Sequence, residues 1–99
     1  MKYELAFVPS ALKEWKKLDN SIKEVFRKKI KERLINPHVT SAKLRGFKNV
    51  YKIKIKSPGY RLVYEVHDTE ICVLVLVVGK REGNEVYLKL NKRMNLSKK

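Results

Sequence analysis

Lys43–Tyr64 reads KLRGFKNVYKIKIKSPGYRLVY. It holds Lys43, Arg45, Lys48, Lys52, Lys54, Lys56 and Arg61, and no acidic residue. Within it, Tyr51-Lys52-Ile53-Lys54-Ile55-Lys56 alternates apolar and cationic residues. A period of two describes a strand with one apolar face and one charged face. Ser57-Pro58-Gly59 supplies turn residues, and a second alternating run, Tyr60 to Val66, carries Arg61 just past the turn. The stretch is read as a hairpin that displays a row of cations.

Reading outward toward the N-terminus, Lys2 to Val8 is a short strand with Tyr3, Leu5 and Phe7 on one face, ended by Pro9. Ser10 is placed to cap a helix over about residues 11–18, with Leu12, Trp15 and Leu18 or Ala11 on one side. Asp19-Asn20 breaks it, and Ser21 with Glu24 matches a capping box. A second helix then runs to about Ile35, with Ile22, Val25, Phe26, Ile30 and Leu34 at helical spacing. Asn36-Pro37 ends it, because a residue before proline avoids helical geometry. The two helices are expected as an antiparallel pair packed on the sheet.

Toward the C-terminus, the hairpin strands, about residues 50–56 and 60–67, are followed by a strand over residues 71–78 that is apolar at every position. Such a strand belongs in a sheet interior, covered on both faces. A weak helix over residues 82–94 follows, spaced by Val86, Leu90 and Met94, and then a frayed basic tail over 95–99. The expected fold is α+β, in the order βααβββα: one domain over residues 1–99 with a mostly antiparallel four-stranded sheet. Two N-terminal helices pack on one face, and a short helix closes the chain. The other face is expected to stay open and to carry Lys52, Lys54 and Arg61.

The formal net charge is +14, from 24 basic and 10 acidic residues. With 43% hydrophobic residues the chain is not a disordered basic tail. A folded, strongly basic domain suits a polyanionic partner. The charge is also uneven: residues 33–64 contain eight Lys/Arg and no Asp or Glu. The single cysteine, Cys72, permits no intrachain disulfide, which fits a reducing compartment. No signal-like core opens the chain, and the longest apolar run is too short to span a bilayer. A cytoplasmic protein without a membrane partner is expected.

The usual catalytic sets are missing from the sequence. There is no Gly-rich phosphate loop, no metal-ligand cluster and no cofactor motif, so no cofactor is expected. His38 and His67 read as ordinary loop or strand-end residues, and Cys72 as core. Cations on a rigid sheet with nearby tyrosines suit phosphodiester chemistry, because fixed Lys and Arg stabilise the added charge of its transition state. RNA brings its own nucleophile, the 2′-hydroxyl. Tyrosine is a poor base at its usual pKa of about 10, but dense positive charge lowers that value. Alternation alone also fits a solvated or charge-guarded strand face, and it slightly favours that reading for Lys52, Lys54 and Lys56. Tyr51, Tyr60 and Tyr64 fit core packing, and Tyr87 fits an amphipathic helix.

Several stretches decide between these readings. They are Ala11-Leu12-Lys13-Glu14-Trp15-Lys16-Lys17-Leu18, Lys43-Leu44-Arg45-Gly46, Tyr51-Lys52-Ile53-Lys54, Gly59-Tyr60-Arg61-Leu62-Val63-Tyr64, Val78-Gly79-Lys80-Arg81-Glu82 and Glu85-Val86-Tyr87. In order and spacing they closely resemble the RelE toxins of the RelE/ParE superfamily. The resemblance implies a type II toxin: a ribosome-dependent endoribonuclease that cuts mRNA in the ribosomal A site without metal and leaves a 2′,3′-cyclic phosphate. It implies Tyr87 as general base and Arg81 as general acid. Lys52 and Lys54 would orient the nucleophile and stabilise the transition state, and Arg61 would bind the phosphate. Lys43, Arg45, Lys48, Lys56 and Lys80 become docking charges for rRNA. The implied partners are the ribosome, mRNA and a RelB-type antitoxin, with operator DNA reached only through the antitoxin complex. The alternative is a ParE-like gyrase poison or a basic nucleic-acid-binding domain; the five matching site positions argue against the ParE branch.

Overall fold

In a computed structural model, the backbone is described for residues 2–80 and 85–97. The elements are β1 (Glu4–Phe7), α1 (Pro9–Lys16), α2 (Asn20–Ile35), a 3₁₀ turn (Thr40–Ala42), β2 (Val50–Ile55), β3 (Tyr60–His67), β4 (Cys72–Lys80) and α3 (Glu85–Ser97). The order is the expected βααβββα. The sheet is mixed, with strand order β1-β4-β3-β2. β1 runs parallel to β4, and the other two pairings are antiparallel.

β4 lies inside the sheet between β1 and β3, as its unbroken apolar run requires. Val73, Val75 and Val78 enter the core under α1 and α2. Leu76 and Val77 enter a second core under α3. Two adjacent residues share a face because β4 carries a bulge: Val63 pairs with Val77 while Tyr64 pairs with Val75, leaving Leu76 as the extra residue.

The first core joins Ala11, Ile22, Phe26, Ile30 and Leu34 from the two helices to Tyr51, Ile53, Ile55, Leu62, Tyr64 and Val66 from the hairpin. α1 lies over β4 and α2 over β2. Tyr64 is fully buried. Its hydroxyl donates to the Pro37 carbonyl at 2.8 Å and accepts from Arg33 at 2.9 Å, which satisfies the buried group. Burial pushes the Tyr64 phenol up, with Arg33 offsetting part of that. At the sheet margin, Asp68 in the β3–β4 turn accepts from Tyr3 at 2.6 Å and lies 2.9 Å from His38 Nε2, while His38 Nδ1 lies 2.8 Å from the Tyr51 hydroxyl. His38 therefore ties loop, strand and turn together.

Several sequence readings are corrected. The second sheet face is not open: Val86 and Leu90 of α3 cover part of it, with Leu44, Val50 and Val63. Ser10 does not cap α1, whose N-cap is Val8 with Pro9 in the first turn. Proline is accommodated there because its missing N–H would have no helical partner. Ser21 and Glu24 form no capping box, because the N-cap is Asp19, two residues earlier, and Ser21 is already helical. Leu12, Val25 and Leu5, assigned to apolar faces, are 38%, 40% and 39% exposed. Residues 95–97 belong to α3, and residues 98–99 of the expected tail lie outside the described residues. Residues 82–84, expected to start the last helix, lie outside the described residues.

β1 ends at Phe7 opposite Val75, so β4 outruns it. The freed edge of β4 is closed by side chains. The Val78 N–H donates to Glu14 of α1 at 3.1 Å, and the Leu76 carbonyl accepts from Arg93 of α3 at 2.6 Å. Arg93 also donates to both Glu14 oxygens, at 2.9 and 3.2 Å, and Lys89 donates to one at 3.1 Å. Burial alone would push the Glu14 carboxyl up; the hydrogen bonds from Arg93, Val78 N–H and Lys89 outweigh it and hold the carboxyl below its ordinary value. A carboxylate with a depressed folded pKa stabilises the fold fully above its unfolded pKa, and that stability is lost as pH falls through the folded one. The charged groups that face Glu14 are Arg93 and Lys89. α3 is therefore expected to stay docked from neutral pH through the usual carboxylate range and to loosen only at more acid pH. Amide spectra of α3 against pH check this.

Candidate active site

The β2–β3 hairpin positions the cations through strand alternation. Tyr51, Ile53 and Ile55 of β2 enter the first core, and Val50 enters the second. Lys52 and Lys54 share parity with Val50, so they project on the α3 side of the sheet. On β3, Leu62 and Tyr64 face the first core and Val63 the second, which puts Arg61 on the α3 side as well. Lys54 and Arg61 are direct partners across the hairpin, and Arg61 is in turn opposite Gly79 of β4. The turn between the strands is tight, with Gly59 at φ +98°, a region glycine enters at little cost.

α3 supplies the remaining described group. Val86 and Leu90 anchor it in the second core, and Tyr87 is partly buried against the same cluster. Arg61 donates to the Tyr87 hydroxyl at 2.9 Å, and its guanidinium carbon lies 5.4 Å from the centre of the Tyr87 ring. Arg61 Nε is buried and finds no hydrogen-bond partner among the described residues. A guanidinium held in place offers a fixed cation to an anionic ligand. The pairing sets a phenol hydroxyl and that cation within one small patch.

Of the residues named from the sequence, Arg61 and Tyr87 are brought into contact. Lys54 lies beside Arg61 in the hairpin register, and Lys52 lies one step along the same face. Lys52 and Lys54 also line a cleft of about 310 Å³ with Lys29 and Arg33 of α2, along the β2 edge. Arg81 lies outside the described residues. Lys80 is exposed at the end of β4, next to that segment. Lys43, Arg45 and Lys48 border a groove of about 600 Å³ with Leu44, Gly46 and Phe47. Lys56 is exposed in the hairpin turn. Tyr51 and Tyr64 are core residues, stacked with ring centres 5.6 Å apart. Cys72 is half-buried, and burial, with Glu4 and Glu70 nearby, holds its thiol above the ordinary value, which disfavours the nucleophilic thiolate. Among the described residues, no three His, Cys, Asp or Glu side chains gather as a metal site. No described helix is long and apolar enough to cross a membrane.

The tie from Glu14 to Arg93 and Lys89 was missed by sequence reasoning. Its members are up to 79 residues apart and lie on different elements, so no local pattern links them.

Known proteins resemble the chain along most of its length. The family model for the ParE toxin of type II toxin–antitoxin systems matches residues 5–85. A RelE-like toxin protein of Escherichia coli is 50% identical over 94 residues, covering 95% of this chain and 99% of the relative. The mRNA interferase toxin RelE of Escherichia coli K12 is 49% identical with the same coverage. Among solved structures, an arginine double mutant of E. coli RelE in the free state superposes with TM-score 0.88 at 48% identity, over 95% of this chain and 99% of that one. RelE in the intact E. coli RelBE toxin–antitoxin complex superposes with TM-score 0.79 at 48% identity, over 82% and 99%. The family-model match stops before Tyr87, whereas the RelE matches cover nearly the full chain; the chain belongs to the RelE toxins of the RelE/ParE superfamily.

Proposed function

We propose that this chain, acting as a single cytoplasmic domain, is a ribosome-dependent mRNA endonuclease that stops translation by cutting the codon in the A site. The observation that carries the reading is the contact between Arg61 and Tyr87 on a cationic sheet face, in a chain half identical to proteins named mRNA interferase. Tyr87 takes the proton from the 2′-hydroxyl of the target ribose. The 2′-oxygen attacks the adjacent phosphorus, and the bond to the 5′-oxygen of the next nucleotide breaks. Arg81 delivers a proton to that leaving oxygen, leaving a 2′,3′-cyclic phosphate and a 5′-hydroxyl. Lys52, Lys54 and Arg61 neutralise the charge gathered on the phosphoryl oxygens. Fixed donors of this kind are each worth on the order of 10²–10³ in rate. The RNA supplies the nucleophile and the side chains supply proton transfer, so the scheme needs no metal.

The charges at Lys43, Arg45, Lys48, Lys56 and Lys80 supply a docking surface for rRNA. Such contacts make affinity fall steeply with salt. Relatives have been solved with RelB antitoxin, and an antitoxin of that type is the proposed protein partner, with operator DNA reached through it.

Inducing the protein in cells and following amino-acid incorporation and plasmid supercoiling together tests the reading. Protein synthesis is expected to stop within minutes while supercoiling is unchanged. Relaxed or cleaved plasmid with continuing synthesis would assign the chain to the gyrase-poison class instead.

A further inference from the structure

α3 has a small apolar footing. Among the described residues it contributes two buried anchors, Val86 and Leu90, and the partly buried Tyr87. Leu88 on the same helix is 65% exposed. Isolated helices of this length are marginal in water, so the seat of α3 depends on what it touches. Besides the second core, its described side chains meet Arg61, the Leu76 carbonyl and Glu14. The carboxylate projects from α1, past the end of β1, and meets Lys89 and Arg93 at the open edge of β4. Lys89 and Arg93 are four residues apart and so lie on one helix face. Glu14 and Arg93 are only 18% and 17% exposed, so water screens them little. The same two side chains take up the backbone groups of Val78 and Leu76 that no strand pairs. The tie therefore fixes α3 against the β4 backbone itself, at the bulge, and not only against another side chain.

We propose that Glu14 is a positioning residue: through Arg93 and Lys89 it holds α3 in register on β4 and so keeps the Tyr87 hydroxyl against Arg61. It touches no substrate and acts through the helix. The proposal rests on the reading of Tyr87 as a cleavage residue, and it also makes a claim about the seat of α3 that holds whatever the reaction is.

The test compares the full-length protein with Glu14→Gln, Arg93→Gln, the double variant and Tyr87→Phe. Glutamine in place of Glu14 can still accept from the Val78 N–H, so the sheet edge is kept while the charge pair is lost. Three quantities are read: amide exchange of α3 relative to the sheet, the ring signals of Tyr87, and single-turnover mRNA cleavage on programmed ribosomes. Hydrogen bonds between charged groups are strong enough that each single variant is expected to raise α3 exchange about tenfold or more, with sheet amides unchanged. The Tyr87 ring signals shift. The cleavage rate at saturating ribosomes falls by about tenfold, while the concentration for half-maximal rate is unchanged. The double variant loosens α3 by less than the two singles combined, because both break the shared Glu14–Arg93 pair. Tyr87→Phe lowers cleavage by about 10²–10⁴-fold and raises α3 exchange less than either single variant. Unchanged α3 exchange and Tyr87 signals in both single variants overturn the tie. Loosened α3 with an undiminished cleavage rate overturns the positioning role. A wild-type protein that never cleaves, yet whose α3 loosens in the variants, overturns the reaction and upholds the seat.

Discussion

Tyr87→Phe is expected to lower mRNA cleavage by about 10²–10⁴-fold, the usual contribution of a positioned acid–base group. The substitution removes one oxygen. It deletes the acceptor that Arg61 meets at 2.9 Å and leaves the ring that packs beside the second core. The guanidinium keeps its place near the ring, 5.4 Å from the ring centre. Because Tyr87 is only partly buried and its ring is preserved, melting of the variant should lie close to wild type. Rate and fold are thereby separated: single-turnover cleavage falls and the thermal transition stays. A variant that cuts at the wild-type rate removes Tyr87 from proton transfer and leaves the charge row without its base.

Phe26→Ala is expected to destabilise the fold by about 3–5 kcal/mol. The Phe26 ring is fully buried and packs at 6.1 Å between ring centres against Trp15, which in turn contacts Phe7 at 5.6 Å. It therefore joins α2, α1 and β1 over the sheet. Domains of this kind have total stabilities of about 5–15 kcal/mol, so the loss can bring the protein near its unfolding midpoint at body temperature. Urea titration measures it. A cost below about 1 kcal/mol would mean that the first core refills the space, against the close packing expected of an interior.

The sequence predicts the hairpin well because two signals there agree. Alternation from Tyr51 to Lys56 sets the faces of β2, and Ser57-Pro58-Gly59 sets the turn, so the pairing of Lys54 with Arg61 follows from a short loop and a period of two. The place of β4 inside the sheet is also legible, since a strand apolar on both faces has no other home. The bulge at Leu76 is not legible, because a run of identical apolar character hides a skipped residue. The face covered by α3 is equally hidden. Val86 and Leu90 announce a helix but not which core receives them. Helix starts fail for another reason: Ser10 and Ser21 have the right chemistry, yet the N-caps fall at Val8 and Asp19, two residues ahead of each. Tertiary connection decided both ends.

The site divides the same way. Alternation alone left Lys52 and Lys54 as a solvated face, and the ordered resemblance to RelE toxins is what singled out Tyr87. The contact between Arg61 and Tyr87 joins residues 26 positions apart on a strand and a helix. No spacing rule could propose it, because it depends on where α3 lands. That landing depends in turn on Glu14 and Arg93, at opposite ends of the chain.

The central claim is that this site cuts mRNA in the ribosomal A site. Mapping mRNA 5′ ends by primer extension tests it most directly, in a purified translation reaction with a defined codon held in the A site. The account predicts new ends inside that codon with wild-type protein, none with Tyr87→Phe, and none on the same RNA without ribosomes. Ends scattered outside the A-site codon, or no new ends while translation continues, would contradict it.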